Sequence, residues 1–501
     1  MCAGSGLLEG SVWDAGKKPI ENPVYPVKDV KIFGNDAGIV LSLYERHHDA
    51  VIHMLEKHGR REGIFPVSDA AQAEMRKELL NLERKQVLTR YDFDDNEKIG
   101  YENRARILLA KYQRIECRYM NAFRLGAYAI WNYFTYMRNK SRNDVFCLYY
   151  PVTHQHHDDE KLRGANGYLL GKLKGEGIEC ISRDNIDFWQ YMYTFYPENV
   201  VLVDDYTFAD YTENLVECLP NVPVDKKLIS LTEAEEHRGK KLGKEMGLDR
   251  GYVCISNRDM VFLHTMMRDK MKADFRDPYR NSSIENCCMA ADYLGEKNMQ
   301  VVRMGSMVEN AWIHPNVVDY ANTGYRDEFM DVYLVAHCKF FVSDLSGIMA
   351  FPMLMAKPMI VMNAPLLTTR YDAPVFLSHH RDLSILKKLW DKKHGRYLTL
   401  CEMLDYEVNL CRKERNVAGA VLGEYASRGI VPVDNSPEEV LAVVKEMNER
   451  IDGTIQYDEI DRELQNRYRE IVDNFPMRDN VLNNWRLGAS FLRENQWLLD
   501  S

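Results

Sequence analysis

Apolar residues recur at three-to-four spacing from Gly38 to about Ala129, first at Val40, Leu43, Val51, Met54 and Leu55, later at Ile107, Leu108 and Tyr112. That period predicts an α-helical leader. The polar run from Asp92 to Asn96 interrupts it and predicts a loop between helices. After about Asp144 the texture changes to short apolar runs separated by helical stretches. Strands are predicted at Val145–Tyr150, Ile178–Ser182 and Val200–Val203, with a helix at Gly167–Leu173.

A second series follows the charged stretch from Glu233 to Arg250, which reads as the connection between two lobes. Its strands are Tyr252–Ser256, Gln300–Met304, Lys339–Val342 and Met359–Met362, with one helix from Phe329 to His337 and another after Gly347. Ser282 and Glu285 have capping-box spacing, and Ile284, Cys288, Ala291 and Leu294 then share a helical face. The charged tail from Tyr457 to Leu499 reads as helices packing back across the first lobe. Alternation of this kind predicts an α/β protein with parallel sheets covered by helices. The expected division is a helical extension over 1–118, a first lobe over 119–245, a second over 246–454, and C-terminal helices over 455–501.

Composition narrows the class. A chain of 501 residues, 46% hydrophobic and 28% charged, is long enough for about three folding units and too apolar for a disordered one. The formal charge of −10 argues against an extended nucleic-acid footprint, which needs a basic face. The 11 cysteines contain no C-x-x-C pair, so reduced thiols in a cytoplasmic protein are expected. Residues Met1 to Ile20 lack a signal-peptide pattern. The apolar stretch from Phe351 to Leu367 is broken by Pro352, Lys357, Pro358 and Pro365, so no membrane span is expected.

Candidate chemistry lies at the carboxyl ends of the strands, where open parallel sheets gather ligands. In the second lobe these loops carry Asn257, Arg258 and Asp259, then Arg303 and Gly305, then Ser343, Asp344, Ser346 and Gly347, then Asn363. Ser343, Ser346 and Gly347 offer hydroxyls and close backbone approach at a helix start, which suits a diphosphate without a metal. A plain helix cap is the alternative. Arg258 and Arg303 suit phosphate oxygens, or internal salt bridges. The cluster at His154, His157 and Asp158 could supply a general base for an acceptor hydroxyl, or form a solvated loop. No metal site is predicted from it. Lys387-Lys388 and Lys392-Lys393-His394 read mainly as a solvated face, with anion contact as the alternative.

The order of these motifs resembles a family of bacterial glycosyltransferases from surface-polysaccharide gene clusters. The resemblance runs from about Phe123 to Thr454. It is carried by Arg124-Leu125-Gly126, Ala165-Asn166, Ser256-Asn257-Arg258-Asp259, Tyr279-Arg280-Asn281-Ser282-Ser283-Ile284, Val302-Arg303-Met304-Gly305 and Asp319-Tyr320-Ala321. It continues through Asp331 to Phe341, Ser346-Gly347, Lys357-Pro358, Asn363, Lys387-Lys388-Leu389 and Asn435-Ser436-Pro437-Glu438. A looser similarity to fucosyltransferases centres on Arg258, although Ser256 or Asn257 stands where those enzymes have a histidine. The family's Arg-Ile-Gly-His opening here ends in Ala127.

The resemblance implies two Rossmann-like lobes of GT-B type behind an α-helical N-terminal extension. It implies transfer of a sugar from a nucleotide-diphosphate sugar to a glycan or lipid-linked acceptor, with no cofactor. Arg124, Gly126 and Asn166 would then lie on the acceptor side. A nucleotide-sugar epimerase of the same fold, and a non-catalytic binding subunit whose N-terminal helices dock a protein or membrane surface, are the competing expectations.

Overall fold

The computed structural model describes residues 90–121, 165–175, 183–203, 227–259, 281–364, 382–411, 425–474 and 486–500, with short stretches at 8–9, 24–25, 39–41, 64–66, 125–126, 129, 145–152 and 261. The chain divides into two compact units, Met1–Glu102 with Asp187–Pro197, and Asn103–Ile186 with Glu198–Ser501.

In the first unit, Phe93 packs edge-on against Tyr101 and Tyr191, with ring centroids 5.9 and 5.5 Å apart. The Glu102 carboxylate accepts from the hydroxyls of Tyr191 and Tyr196 at 2.8 and 2.7 Å. Asp94 Oδ1 accepts from the backbone N–H groups of Asn96 and Glu97, each at 2.8 Å, and so starts the helix Asp95–Lys111. The interruption expected at 92–96 is thus non-helical through Asp94 and gives way to the helix at Asp95. The leader is not helical throughout. Ile39–Leu41 pairs with Ile64–Pro66 as parallel strands.

The second unit holds two parallel sheets. In the smaller, strand β1 (Arg114–Asn121) lies between β2 (Val145–Val152) and β3 (Val200–Val203). The end of the predicted helical leader is therefore a central strand. Its Arg114, Glu116 and Arg118 disguise the apolar run that a buried strand normally shows.

The larger sheet contains β4 (Tyr252–Ser256), β5 (Gln300–Arg303), β6 (Val317–Val318), β7 (Phe341–Ser343), β8 (Met359–Ala364) and β9 (Leu383–Leu386). A hairpin of β10 (Lys388–Asp391) and β11 (Arg396–Tyr397) follows, and β12 (Ile430–Val433) pairs antiparallel with β10. A last strand, β13 (Arg486–Leu487), returns to the large sheet beside β9. The large sheet runs β6-β5-β4-β7-β8-β9-β13, entirely parallel. Every residue of β4, β5, β7, β8 and β9 is buried. Burial of both faces is what helices on each side of a parallel sheet impose.

The charged stretch after Glu233 is itself a helix, Glu233–Glu245, begun by a reciprocal capping box between Thr232 and Glu235. Gly239 lets it pack flush on the Tyr333 ring of the helix Glu328–His337, where any Cβ would collide. The C-terminal tail contains the expected helix, Glu459–Asp473, but Arg486–Leu487 inserts as an edge strand. Its described residues extend the large sheet, and Gly488 packs against Ile385 and Val443. Among the described residues, no helix is long and apolar enough to cross a membrane.

Candidate functional site

From β4 the chain builds outward through β5 to β6, then returns to lay β7 on the opposite side of β4. In open α/β sheets such a reversal marks a crevice beyond the carboxyl ends of the two strands, here β4 and β7, as the place where ligands bind. Ser343 pairs with Ser256, so Asn257 and Asp344 leave the sheet side by side.

Asp344 is fully buried. Its Oδ2 accepts from the Arg258 backbone N–H at 3.0 Å and from Ser282 Oγ at 2.6 Å, and its Oδ1 accepts from Asn363 Nδ2 at 3.2 Å. Burial pushes its pKa up to about 6, against the opposing pull of these three donors and of the Lys387 charge. Asn363 sits at a left-handed φ of 50° beside an irregularity between β8 and β9. It is locked to Asn435 by two reciprocal bonds of 2.6 and 2.7 Å. An asparagine tolerates this backbone where most residues are strained.

Arg258 is half-buried, and its guanidinium donates to Asn281 Oδ1 at 2.5 Å. Asn257 Nδ2 donates to the Ser282 carbonyl at 3.1 Å. Ser282 therefore does not cap a helix as its spacing suggested. Ser283 accepts from the Glu285 N–H instead and starts a 3-10 turn, Ile284–Cys287, leading into the helix Cys288–Glu296. Its neighbour's hydroxyl is thereby free to bond Asp344.

Arg303 is 1% exposed. Its guanidinium donates to the Asn310 carbonyl at 2.7 Å and to Asn257 Oδ1 at 3.3 Å, and pairs with Asp319 at 3.4 Å. The internal salt bridge, one of the two readings of this arginine, is present. Gly305, at φ 155°, gives the chain its turn after β5. A Cβ there would stand 2.9 Å from Val308.

Ser343 donates to the Asp344 carbonyl at 2.7 Å. Ser346 begins a 3-10 turn, Gly347–Met349, followed by the helix Ala350–Leu354, yet its hydroxyl caps nothing and lies 3.4 Å from Ser343 Oγ. A helix of five residues sums too few peptide dipoles for much anion attraction. Local cationic charge must come from side chains.

Gly126 and Gly347, assigned to opposite sides on sequence, touch backbone to backbone. A Cβ on either would lie 2.9 Å from the other's main chain. Asn166, expected on the acceptor side, is a buried helix cap. Its Oδ1 accepts from the Leu169 N–H at 2.8 Å, and its Nδ2 donates to the Glu328 carbonyl at 3.3 Å. Arg124, His154, His157 and Asp158 lie outside the described residues. Among the described residues, no three His, Cys, Asp or Glu side chains group as a metal shell.

Lys387, read with its neighbours as surface charge, is almost fully buried at the end of β9, pairing with Asp434 at 2.8 Å. Lys388 pairs with Glu439 at 2.7 Å, while Lys392, Lys393 and His394 are solvated in the hairpin turn. The clue to Lys387 was its place directly after the apolar Leu383-Ser384-Ile385-Leu386.

A scan against protein-family models gives no match, and a search of curated proteins gives none. Among solved structures the chain is similar to a family 9 glycosyl transferase from Veillonella parvula DSM 2008, at 14% identity over 50% of this chain and 80% of that one, with a TM-score of 0.31. It is also similar to the E. coli ADP-heptose LPS heptosyltransferase II, at 10% identity over 63% and 97%, TM-score 0.31. A third is the dodecameric iron-containing heptosyltransferase TibC in complex with ADP-D-β-D-heptose, at 11% identity over 68% and 78%, TM-score 0.35.

Proposed function

We propose that this chain is a cytoplasmic glycosyltransferase of GT-B type. It takes a sugar from a nucleotide-diphosphate donor and moves it to a carbohydrate or lipid-linked acceptor in surface glycan synthesis. The observation that carries this reading is the convergence of Arg258, Ser282 and Asp344 at the switch point between β4 and β7. The motif order along the sequence supplies the reaction class.

In this reading residues 246–454 hold the donor and 119–245 face the acceptor. The Arg258 guanidinium offsets charge gathering on the departing diphosphate, and Ser346 donates a hydrogen bond to it. One of His154, His157 and Asp158 takes the proton from the acceptor hydroxyl. Residues before Arg114 make the contact with a protein or membrane surface. No cofactor enters the chemistry.

A thermal-shift screen with UDP, GDP, ADP, CMP and dTDP identifies the donor base, since a ligand held only by the folded state raises apparent stability. Arg258→Ala then lowers turnover of the matching nucleotide sugar at least about a hundredfold. Unchanged consumption in that variant would remove the assignment. Interconversion of nucleotide sugars without an acceptor would mark an epimerase instead.

A further inference from the structure

Arg258 reaches the crevice from a loop end, and a long flexible cation is useful there only if its direction is fixed. Its backbone N–H is held by Asp344 at 3.0 Å, and its carbonyl accepts from the Ser282 N–H at 3.2 Å. Its guanidinium is held by Asn281 Oδ1 at 2.5 Å. Two of these three bonds come from the Asn281-Ser282 pair, 23 residues further along the chain.

That pair is gripped from two strands. Asp344, beyond β7, accepts from Ser282 Oγ at 2.6 Å. Lys387, beyond β9, donates from Nζ to the Asn281 carbonyl at 2.7 Å and is anchored by Asp434 at 2.8 Å. Lys387 is 1% exposed and Asp344 0%. Burying an ammonium and a carboxylate is costly, and hydrophobic residues of similar volume usually stabilise a core better. Their placement has another use.

We propose that Lys387 and Asp344 are positioning residues that hold Asn281 and Ser282 in place, so that the Arg258 guanidinium is preorganised for the diphosphate of the nucleotide sugar. This rests on the transferase reading of the crevice. Neither residue need touch the ligand. Lys387 acts through the Asn281 backbone, and Asp344 through the Arg258 backbone and the Ser282 side chain.

The test is a double-mutant cycle on the full chain, with calorimetric affinity for whichever of UDP, GDP, ADP, CMP and dTDP binds the wild type most tightly. Lys387→Met is expected to weaken that affinity about tenfold in the wild-type background and less than about twofold in Arg258→Ala, because the lysine then has no arginine to position. Its effect on Tm should be the same in both backgrounds. Asn281→Ala, which removes the guanidinium's acceptor but leaves the carbonyl for Lys387, is expected to repeat the pattern and serves if Lys387→Met does not fold. Equal losses in both backgrounds, or no loss in either, would overturn this positioning role while leaving the transferase reading intact. A wild type that binds none of UDP, GDP, ADP, CMP and dTDP in the thermal-shift screen would overturn both.

Discussion

Asp344 and Asp331 are buried carboxylates whose pKa values are both pushed up to about 6, in each case chiefly by burial. Asp331 accepts from the Tyr320 hydroxyl at 2.9 Å and pairs with Arg326 at 3.1 Å. In the unfolded chain each carboxyl titrates near its ordinary value, so between about pH 4 and 6 the native state holds more protons than the unfolded one. Stability must therefore fall as pH rises through that window and level off above it. Denaturant unfolding at stepped pH is expected to show a decline of about 3 kcal/mol for each carboxyl, with the Asp344 share missing in Asp344→Asn. A flat profile would contradict the raised values. At this scale the sequence was legible in type more than in role. Arg258 and Asp344 stand out as polar groups at strand ends. Arg303 does not reveal that it is buried, because its partner Asp319 comes from a later loop, and Lys387 shows it only by following an apolar strand.

Among the elements, Tyr252–Ser256, Gln300–Arg303, Phe341–Ser343 and Met359–Ala364 were readable because unbroken apolar runs mark strands buried on both faces. Leu383–Leu386 was hidden by the lysines after it, and Arg114–Asn121 by its alternating charges. The Ser346 turn was legible as a helix start, but not its contact with Leu125-Gly126, since nothing local encodes which backbone will approach a glycine. That contact is testable. Gly347→Ala or Gly126→Ala forces a Cβ into main chain at 2.9 Å, so each should cost about 1–3 kcal/mol by urea unfolding. Gly100, inside the helix Asp95–Lys111 with nothing within 4 Å, is the control. Its replacement by alanine should stabilise by about 0.5–1 kcal/mol.

For the whole molecule, alternation of strands and helices predicted the α/β class, but not the order β6-β5-β4-β7-β8-β9-β13. Periodicity says which face of a strand is buried and nothing of its neighbour. The order is what singles out one crevice among several loop ends. Its far edge is closed by Arg486–Leu487, so a chain ending before Arg486 should leave the outer edge of β9 unpaired and associate, which light scattering would detect as oligomers absent from the full chain. The same edge has a consequence during synthesis. About 100 residues separate Leu383 from Leu487, and at roughly 5–20 residues per second the ribosome needs about 5–20 s to deliver the closing strand. For that interval the outer edge of β9 has no strand to pair with.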